Sequence, residues 1–152
     1  MPMAKQNTTP SGFLTHAREF LAAGVLVLNR AEGVSLPAYF LLGRSVELSL
    51  KAFLLARGVE ASELKFRKYG HNLSSLLDAA LKHGIMREVK LETIEIGVIK
   101  LLSYDYMEKR FEYRDTGGTY HLPLIDVTEQ VSRKLVTDLE SSCSKASTNA
   151  GT

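Results

Sequence analysis

Apolar side chains recur every three or four positions along most of the chain, the spacing that places them on one face of an α-helix. This pattern predicts a first helix that is capped by Ser11 and ends before Gly33. Its apolar face would consist of Phe13, Ala17, Phe20, Leu21 and Leu28. A second helix is predicted from Pro37 to a glycine stop at Gly58. Because it is apolar almost all round, we expect it to be central and buried.

Three further helices are predicted towards the C-terminus. Asn72 would cap a third helix that ends at Gly84. Residues 88–106 alternate in part like a strand, but their length and the spacing of their aliphatic side chains favour a fourth helix. A fifth helix should start at Asp126, which together with Glu129 resembles a capping box.

The stretch EYRDTGGTYHLP, residues 112–123, predicts a β-hairpin between the fourth and fifth helices. With Gly117 and Gly118 as a two-residue turn, the alternating apolar residues fall on one face of the hairpin. The same register places Arg114 directly opposite His121, with Cβ atoms roughly 5 Å apart.

These elements predict an all-α fold, an up-and-down bundle of about five helices with a short β-hairpin between helices 4 and 5. The length of 152 residues suits one domain. Residues 1–10 are polar and predict a flexible arm, whereas 11–142 would form the single helical domain. Residues 143–152 have almost no apolar content, which predicts a disordered tail.

Composition and charge exclude several classes of function. The net charge of +2 is too small to predict nucleic-acid binding from bulk electrostatics. A single cysteine, Cys143, rules out an intrachain disulfide framework and a cysteine-based metal site. No apolar run approaches the roughly 20 residues that span a bilayer, and the N-terminus lacks the apolar core of a signal peptide. We therefore expect a cytoplasmic protein without a membrane segment, a metal or a cofactor.

Two segments of the chain resemble the HEPN family of small α-helical, nucleotide-binding domains. The first is RSVELSLKAFLLARG, with a Glu-to-Lys-Ala core formed by Glu47, Lys51 and Ala52. The second is GHNLSSLLDAALKHG, in which Gly70, His71, Asn72 and Leu73 start the third helix. The resemblance covers roughly residues 13–108.

The resemblance implies an up-and-down bundle that forms a homodimer. Many members of the family belong to toxin–antitoxin or antiviral systems, so it also implies RNA or nucleotide as a ligand and a nucleotidyltransferase-type antitoxin as a partner. Some members are metal-independent ribonucleases that use an Arg, a following polar residue and a His after four to six intervening residues. Other members lack that motif and act as binding modules.

Arg114 and His121 are the candidate catalytic residues, because Asp115 follows the arginine and six residues intervene before the histidine. An arginine can hold a phosphate through its planar fork of donors. A histidine can transfer a proton near neutral pH while a 2′-hydroxyl attacks. The alternative is a solvent-facing pair on an ordinary hairpin.

Aromatic and basic residues interleave in SYDYMEKRFEYRD, a pattern that can stack bases and hold phosphates. The binding candidates in this run are Lys109, Arg110 and Tyr113. A second basic cluster, suited to phosphate, consists of Arg67, Lys68 and His71. In each case the alternative is structural: core aromatics with solvated charges, and a histidine that fixes its loop.

The second helix carries a charged line at i, i+3 and i+7, formed by Arg44, Glu47 and Lys51. On so apolar a helix, buried charges must be paired, so we interpret the line as an internal ion network or as part of a dimer interface.

Three functions remain open from the sequence. The leading hypothesis is a HEPN-like binding module for RNA or a nucleotide in a toxin–antitoxin or defence-type system. The second is a metal-independent endoribonuclease that uses the arginine–histidine pair. The third is a structural dimerisation protein.

Overall fold

The structure, a computed structural model, describes residues 9–66, 69–113 and 118–150, the last three of them by backbone alone. All regular elements in these ranges are helical. The long helices are α1 (Pro10–Arg30), α2 (Leu36–Ala56), α5 (Thr93–Met107) and α6 (Ile125–Asp138). The shorter ones are α3 (Ala61–Leu64), α4 (Leu73–Lys82), the 3-10 turn Ile85–Arg87 and α7 (Glu140–Ala150). The predicted all-α class is thus confirmed.

The β-hairpin and the count of five helices are wrong. On either side of the undescribed residues 114–117, residues 111–113 form a turn and 118–124 lie outside any strand. Seven α-helices are found in the described ranges, since α3 lies in the predicted loop and α7 in the predicted tail.

Side chains of α5 and of the turn that follows it satisfy backbone groups that a hairpin would have paired. The Asp105 carboxylate accepts the backbone N–H of His121. The Arg110 guanidinium donates to the Thr119 carbonyl at 2.6 Å. Because backbone polar groups must find partners somewhere, these bonds remove the need for a strand ladder.

The chain end also differs from the sequence prediction, because residues 143–150 are helical rather than disordered. Cys143 lies one turn beyond Leu139, and both side chains are fully buried. Ser147 Oγ accepts the backbone N–H of Ser11 at 2.9 Å, which ties α7 to the start of α1. These few contacts hold the segment in place, although its polar composition gives no sign of them.

Helix caps agree with the sequence in one case and differ in others. Asn72 caps α4 by accepting the Ser75 N–H at 3.0 Å, as predicted. The cap of α1 is Thr9, which accepts the Gly12 N–H at 2.9 Å, rather than Ser11. Asp126 lies inside the first turn of α6, which starts without a side-chain cap.

Helix α2 is the centre of the bundle, in contact with α1, α4, α5, α6 and α7. It approaches its neighbours closely through small residues. Ser45 Oγ donates to the Ala17 carbonyl of α1 at 2.8 Å. A Cβ at Gly43 would lie 2.6 Å from the Tyr106 ring of α5, so only glycine allows this approach. Within the described ranges, no helix combines the length and apolar character needed to cross a membrane.

Candidate functional site

A buried carboxylate, Glu47, is the centre of the most extensive polar cluster on α2. Its side chain is 1% exposed and lies within hydrogen-bonding distance of four groups. Oε2 accepts from Arg44 Nη1 at 2.9 Å and from Lys51 Nζ at 2.8 Å. Oε1 accepts from the Tyr106 hydroxyl at 2.6 Å and lies 2.9 Å from His71 Nδ1. Both carboxylate oxygens are therefore fully engaged.

The charged line predicted on α2 is therefore one ion-pair network, because residues three and four apart on a helix are neighbours. Two further members come from elsewhere in the chain. His71 lies in the turn before α4, and Tyr106 lies in the last turn of α5, opposite Gly43. The network thus joins three parts of the bundle at one carboxylate.

The network keeps Glu47 ionised. Burial alone would raise the pKa of Glu47, but the charges of Lys51 and Arg44 outweigh it and hold that pKa below its ordinary value. Burial and the charge of Glu47 together raise the pKa of Tyr106 well above its ordinary value. Because an ionised carboxylate only accepts, His71 donates from Nδ1, which leaves Nε2 as the ring nitrogen away from Glu47.

A cleft of about 230 Å³, here called the Glu47 cleft, opens beside this network. Its lining residues are Phe40, Arg44, His71, Tyr106, Lys109 and Glu112. Arg44 is 28% and His71 46% exposed, so both reach the surface of the cleft. The rings of Phe40 and Tyr106 stack with centroids 6.3 Å apart. Cations and aromatic rings therefore share one concave surface.

The charge of the Glu47 cleft is positive. Arg44 and Lys109 face one exposed carboxylate, that of Glu112. Lys51 lies behind the wall and is paired with Glu47. This arrangement can hold an anion such as a phosphate, because arginine and lysine donate charge-assisted hydrogen bonds to its oxygens.

Among the predicted binding residues, the structure places His71 and Lys109 in the Glu47 cleft. Arg110 is elsewhere: it pairs with Asp105 at 2.6 Å, and its guanidinium lies 4.5 Å from the centroid of the Tyr120 ring. Tyr113 is 73% exposed. The other predicted members, Arg67 and Lys68, lie outside the described residues.

The predicted catalytic histidine lies beside a different carboxylate. Arg114, the other predicted catalytic residue, lies outside the described residues. The half-exposed His121 has Nδ1 at 3.7 Å from Oδ2 of Asp105, which is 1% exposed. Its ring lies 5.2 Å from that of Tyr104. The structure therefore joins His121 to Asp105.

Sequence reasoning missed Phe40, Glu112 and Asp105 and treated Tyr106 only as one of several aromatics. One signal was available for Asp105. It lies three residues after Leu102 and seven after Val98, both buried, so a carboxylate occupies the apolar face of α5. A charge at such a position must be paired, which points to a network.

A second buried carboxylate network offers a comparison. Glu95 of α5, fully buried, accepts the Glu92 backbone N–H at 2.8 Å as part of a capping box. It also accepts from Lys134 Nζ at 2.7 Å and from Gln130 Nε2 at 3.0 Å, both on α6. Burial would raise the pKa of Glu95, but these donors hold it below its ordinary value.

The surface beside Glu95 is acidic. A shallow groove, here called the Lys134 groove, runs along α6. Its charged residues are Asp126, Glu129, Asp138, Arg133 and Lys134. Lys134 also donates to the Lys90 carbonyl at 2.9 Å, and Arg133 pairs with Glu129 at 3.0 Å. Three carboxylates against two engaged cations make this groove unsuited to a phosphate.

The described ranges contain no group of three or more His, Cys, Asp or Glu side chains placed to hold a metal ion. Comparisons of the chain with protein-family models, with curated proteins and with solved structures found no match. The resemblance to the HEPN family therefore stays a prediction from the residues quoted above. The structure defines a helical bundle with a cationic cleft beside a buried carboxylate.

Proposed function

We propose that the protein is a binding module for RNA or a nucleotide and that it holds a phosphate in the Glu47 cleft. The observation that carries this proposal is the surplus of cations on a carboxylate that already has four partners. Three cations, Arg44, Lys51 and Lys109, stand against two carboxylates, Glu47 and Glu112, so one positive charge is left over at the cleft. An anionic ligand balances the remaining charge.

The size and walls of the cleft support a phosphate with part of its nucleoside. A volume of about 230 Å³ is below the usual range for pockets that enclose a whole small ligand, roughly 300–1,000 Å³. The base would therefore extend beyond the cleft. The stacked Phe40 and Tyr106 rings provide an apolar wall for a sugar or base edge.

Binding of a fluorescent single-stranded RNA of about 12 nucleotides tests the proposal. Affinity should fall as the salt concentration rises, with a slope of log affinity against log salt of about −0.7 for each phosphate that the protein neutralises. Competition with adenosine nucleotides and inorganic phosphate distinguishes a strand-binding site from a mononucleotide site. If the wild-type protein shows no salt-sensitive affinity for RNA or nucleotide, the proposed function is wrong.

His121→Ala is the control, because His121 lies outside the Glu47 cleft, beside Asp105 and Tyr104. The matched substitution inside the cleft is His71→Ala. We expect about tenfold weaker binding for His71→Ala and binding within about twofold of wild type for His121→Ala.

A second candidate function, metal-independent RNA cleavage, is supported by the pairing of His121 with Asp105. The His121 imidazole is half exposed and lies 3.7 Å from the buried Asp105 carboxylate, so a proton-transfer group and a fixed negative charge stand side by side, an arrangement that general acid–base catalysis can use. Incubation of RNA with the protein in EDTA tests this function. His121→Ala should abolish cleavage, and His83→Ala, which alters an exposed histidine after α4, should not. If the wild type does not cleave RNA, the cleavage function is wrong and only the binding function remains.

The resemblance to the HEPN family supports the wider setting of this proposal. It implies a toxin–antitoxin or defence-type system, a homodimer, and a nucleotidyltransferase-type antitoxin as partner. Co-expression with such a nucleotidyltransferase, followed by co-purification, tests the partner. Sedimentation of the purified chain tests the dimer.

A further inference from the structure

Lys109, which follows the C-cap of α5, has a left-handed backbone with φ +58°. The other described residues with positive φ are the glycines Gly33, Gly58 and Gly84. An L-residue in this region brings its Cβ too close to the backbone, and glycine avoids that cost. Lys109 therefore has a side chain at a position where the backbone conformation favours glycine.

The same backbone motif ends α2 with a glycine. At the end of α2, the Val59 N–H donates to the Leu54 carbonyl at 3.0 Å. Gly58, the residue just before Val59, has the left-handed backbone. At α5, the Arg110 N–H donates to the Asp105 carbonyl at 2.9 Å. These six-residue closures are Schellman motifs, in which the left-handed residue is most often glycine.

The surroundings of Lys109 fix its unfavourable backbone. Its N–H donates to the Tyr106 carbonyl at 3.1 Å, and its own carbonyl accepts the backbone N–H of Glu112 at 3.2 Å. The ion pair between Arg110 and Asp105, at 2.6 Å, locks the next residue. Such over-determined strain persists where a particular side chain is needed, and it clusters at ligand-binding sites.

We propose that Lys109 is the outer phosphate-binding cation of the Glu47 cleft and that its left-handed backbone places it there. The two consecutive basic residues of the motif separate: Lys109 lines the cleft, and Arg110 turns to Asp105. Within the described residues, no carboxylate forms an ion pair with the Lys109 ammonium. This inference rests on the proposed phosphate-binding function and assigns one cation of that site to Lys109.

Lys109→Gly tests the inference because it relieves the backbone and removes the cation in one change. We expect the melting temperature to stay the same or to rise by up to about 4 °C, since the gain from a relaxed backbone is partly offset by the freer unfolded chain. The affinity for the RNA should fall about five- to tenfold. The salt slope should become shallower by about 0.7, the loss of one phosphate contact on a single strand.

Two further variants separate charge from backbone. Lys109→Arg keeps a cation on the same backbone and should bind RNA within about twofold of wild type. Lys145→Gln removes an exposed cation on α7, and it should change neither the affinity nor the salt slope. An effect of Lys145→Gln equal to that of Lys109→Gly would mean a diffuse charge effect and would overturn the assignment.

Two other results also overturn the inference. The first is a Lys109→Gly protein that binds as tightly as the wild type, which leaves the proposed function intact and removes Lys109 from it. The second is a fall in melting temperature together with the fall in affinity, which makes Lys109 a structural residue. If the wild type itself binds no RNA or nucleotide, the proposed function fails before Lys109 is considered.

Discussion

Glu47 and Glu95 are both buried carboxylates with a lysine partner, yet their surroundings differ. Glu95 accepts a backbone N–H of its own helix and two side chains of α6, so its partners complete the packing of α5 on α6. Glu47 gathers donors from α2, α5 and the turn before α4. The Glu47 cleft is positive, whereas the Lys134 groove is acidic.

The difference teaches that a buried ion network does not by itself mark a site. A buried charge must be paired in either case, and both carboxylates have a lowered pKa. The distinguishing property is the charge that remains at the adjoining surface. Glu95 therefore serves as the structural control for every experiment on Glu47.

Truncation of the two carboxylates should produce the largest effects. Glu47→Ala leaves Lys51, only 12% exposed, and the buried Tyr106 hydroxyl without their acceptor. We expect the free energy of unfolding to fall by about 3–5 kcal/mol. Glu95→Ala leaves Lys134, 26% exposed and still bound to a carbonyl, so a loss of about 1–3 kcal/mol is expected. Urea unfolding at neutral pH measures both, and an equal or larger loss for Glu95→Ala would contradict the comparison.

Acid should remove the same charges while leaving the side chains in place. The pKa of each carboxyl is lowered from its ordinary value of 4.5, so its stabilisation is fully present above pH 4.5. That stabilisation is lost as the pH falls through the lowered pKa of the folded state. Unfolding measured against pH should show a smaller acid loss for Glu47→Gln and for Glu95→Gln than for the wild type. An unchanged acid limb in both variants would mean that other carboxyls dominate.

The alkaline side has the opposite sign. The pKa of Tyr106 is raised from its ordinary value of 10.0, so its stabilisation is present below pH 10.0 and is lost as the pH rises towards the folded-state pKa. Tyr106→Phe should therefore weaken the alkaline loss of stability.

At neutral pH, Tyr106→Phe removes one hydrogen bond to a charged acceptor. The expected loss is about 1.5–3 kcal/mol. Tyr39→Phe is the matched control, because the Tyr39 hydroxyl donates to a neutral acceptor, the Pro123 carbonyl, at 2.6 Å. Its loss should be about 0.5–1.5 kcal/mol. If the two variants are equally destabilised in urea, Glu47 adds nothing as an acceptor.

The smallest effect should come from the exposed pair on the Lys134 groove. Arg133 is 52% and Glu129 31% exposed, so water screens their attraction. Arg133→Ala should change the free energy of unfolding by less than about 0.5 kcal/mol and should leave RNA affinity unchanged. Weaker RNA binding in this variant would mean that RNA contacts the Lys134 groove, which contradicts the assignment of binding to the Glu47 cleft.

Local signals predicted the elements that local contacts decide. Asn72 and Gly84 mark the ends of α4, and the i, i+3, i+7 spacing joins Arg44, Glu47 and Lys51 on one helix face. The interacting residues are only a few positions apart in sequence, so their spacing is enough to predict the contact.

Distant contacts decided what the sequence failed to predict. The backbone after the glycine pair is held by Asp105, 16 residues before His121, so the hairpin pattern was overruled by a side chain from α5. Tyr106 reaches Glu47 across 59 residues, and no spacing rule reports such a contact. The last helix packs through the buried Cys143 and is tied to α1 through Ser147, and composition alone does not distinguish such a segment from a polar tail.

The central claim is that the cations around Glu47 serve a ligand, whereas the cation on Glu95 serves the fold. Arg44→Gln and Lys134→Gln each remove one cation from a buried glutamate, so they form a charge-matched pair. The decisive measurement is the affinity of each variant for the same fluorescent RNA, after thermal melting has shown that both are folded. We predict about tenfold weaker binding for Arg44→Gln and binding within about twofold of wild type for Lys134→Gln. Equal losses in the two variants, or no loss in either, would contradict the claim.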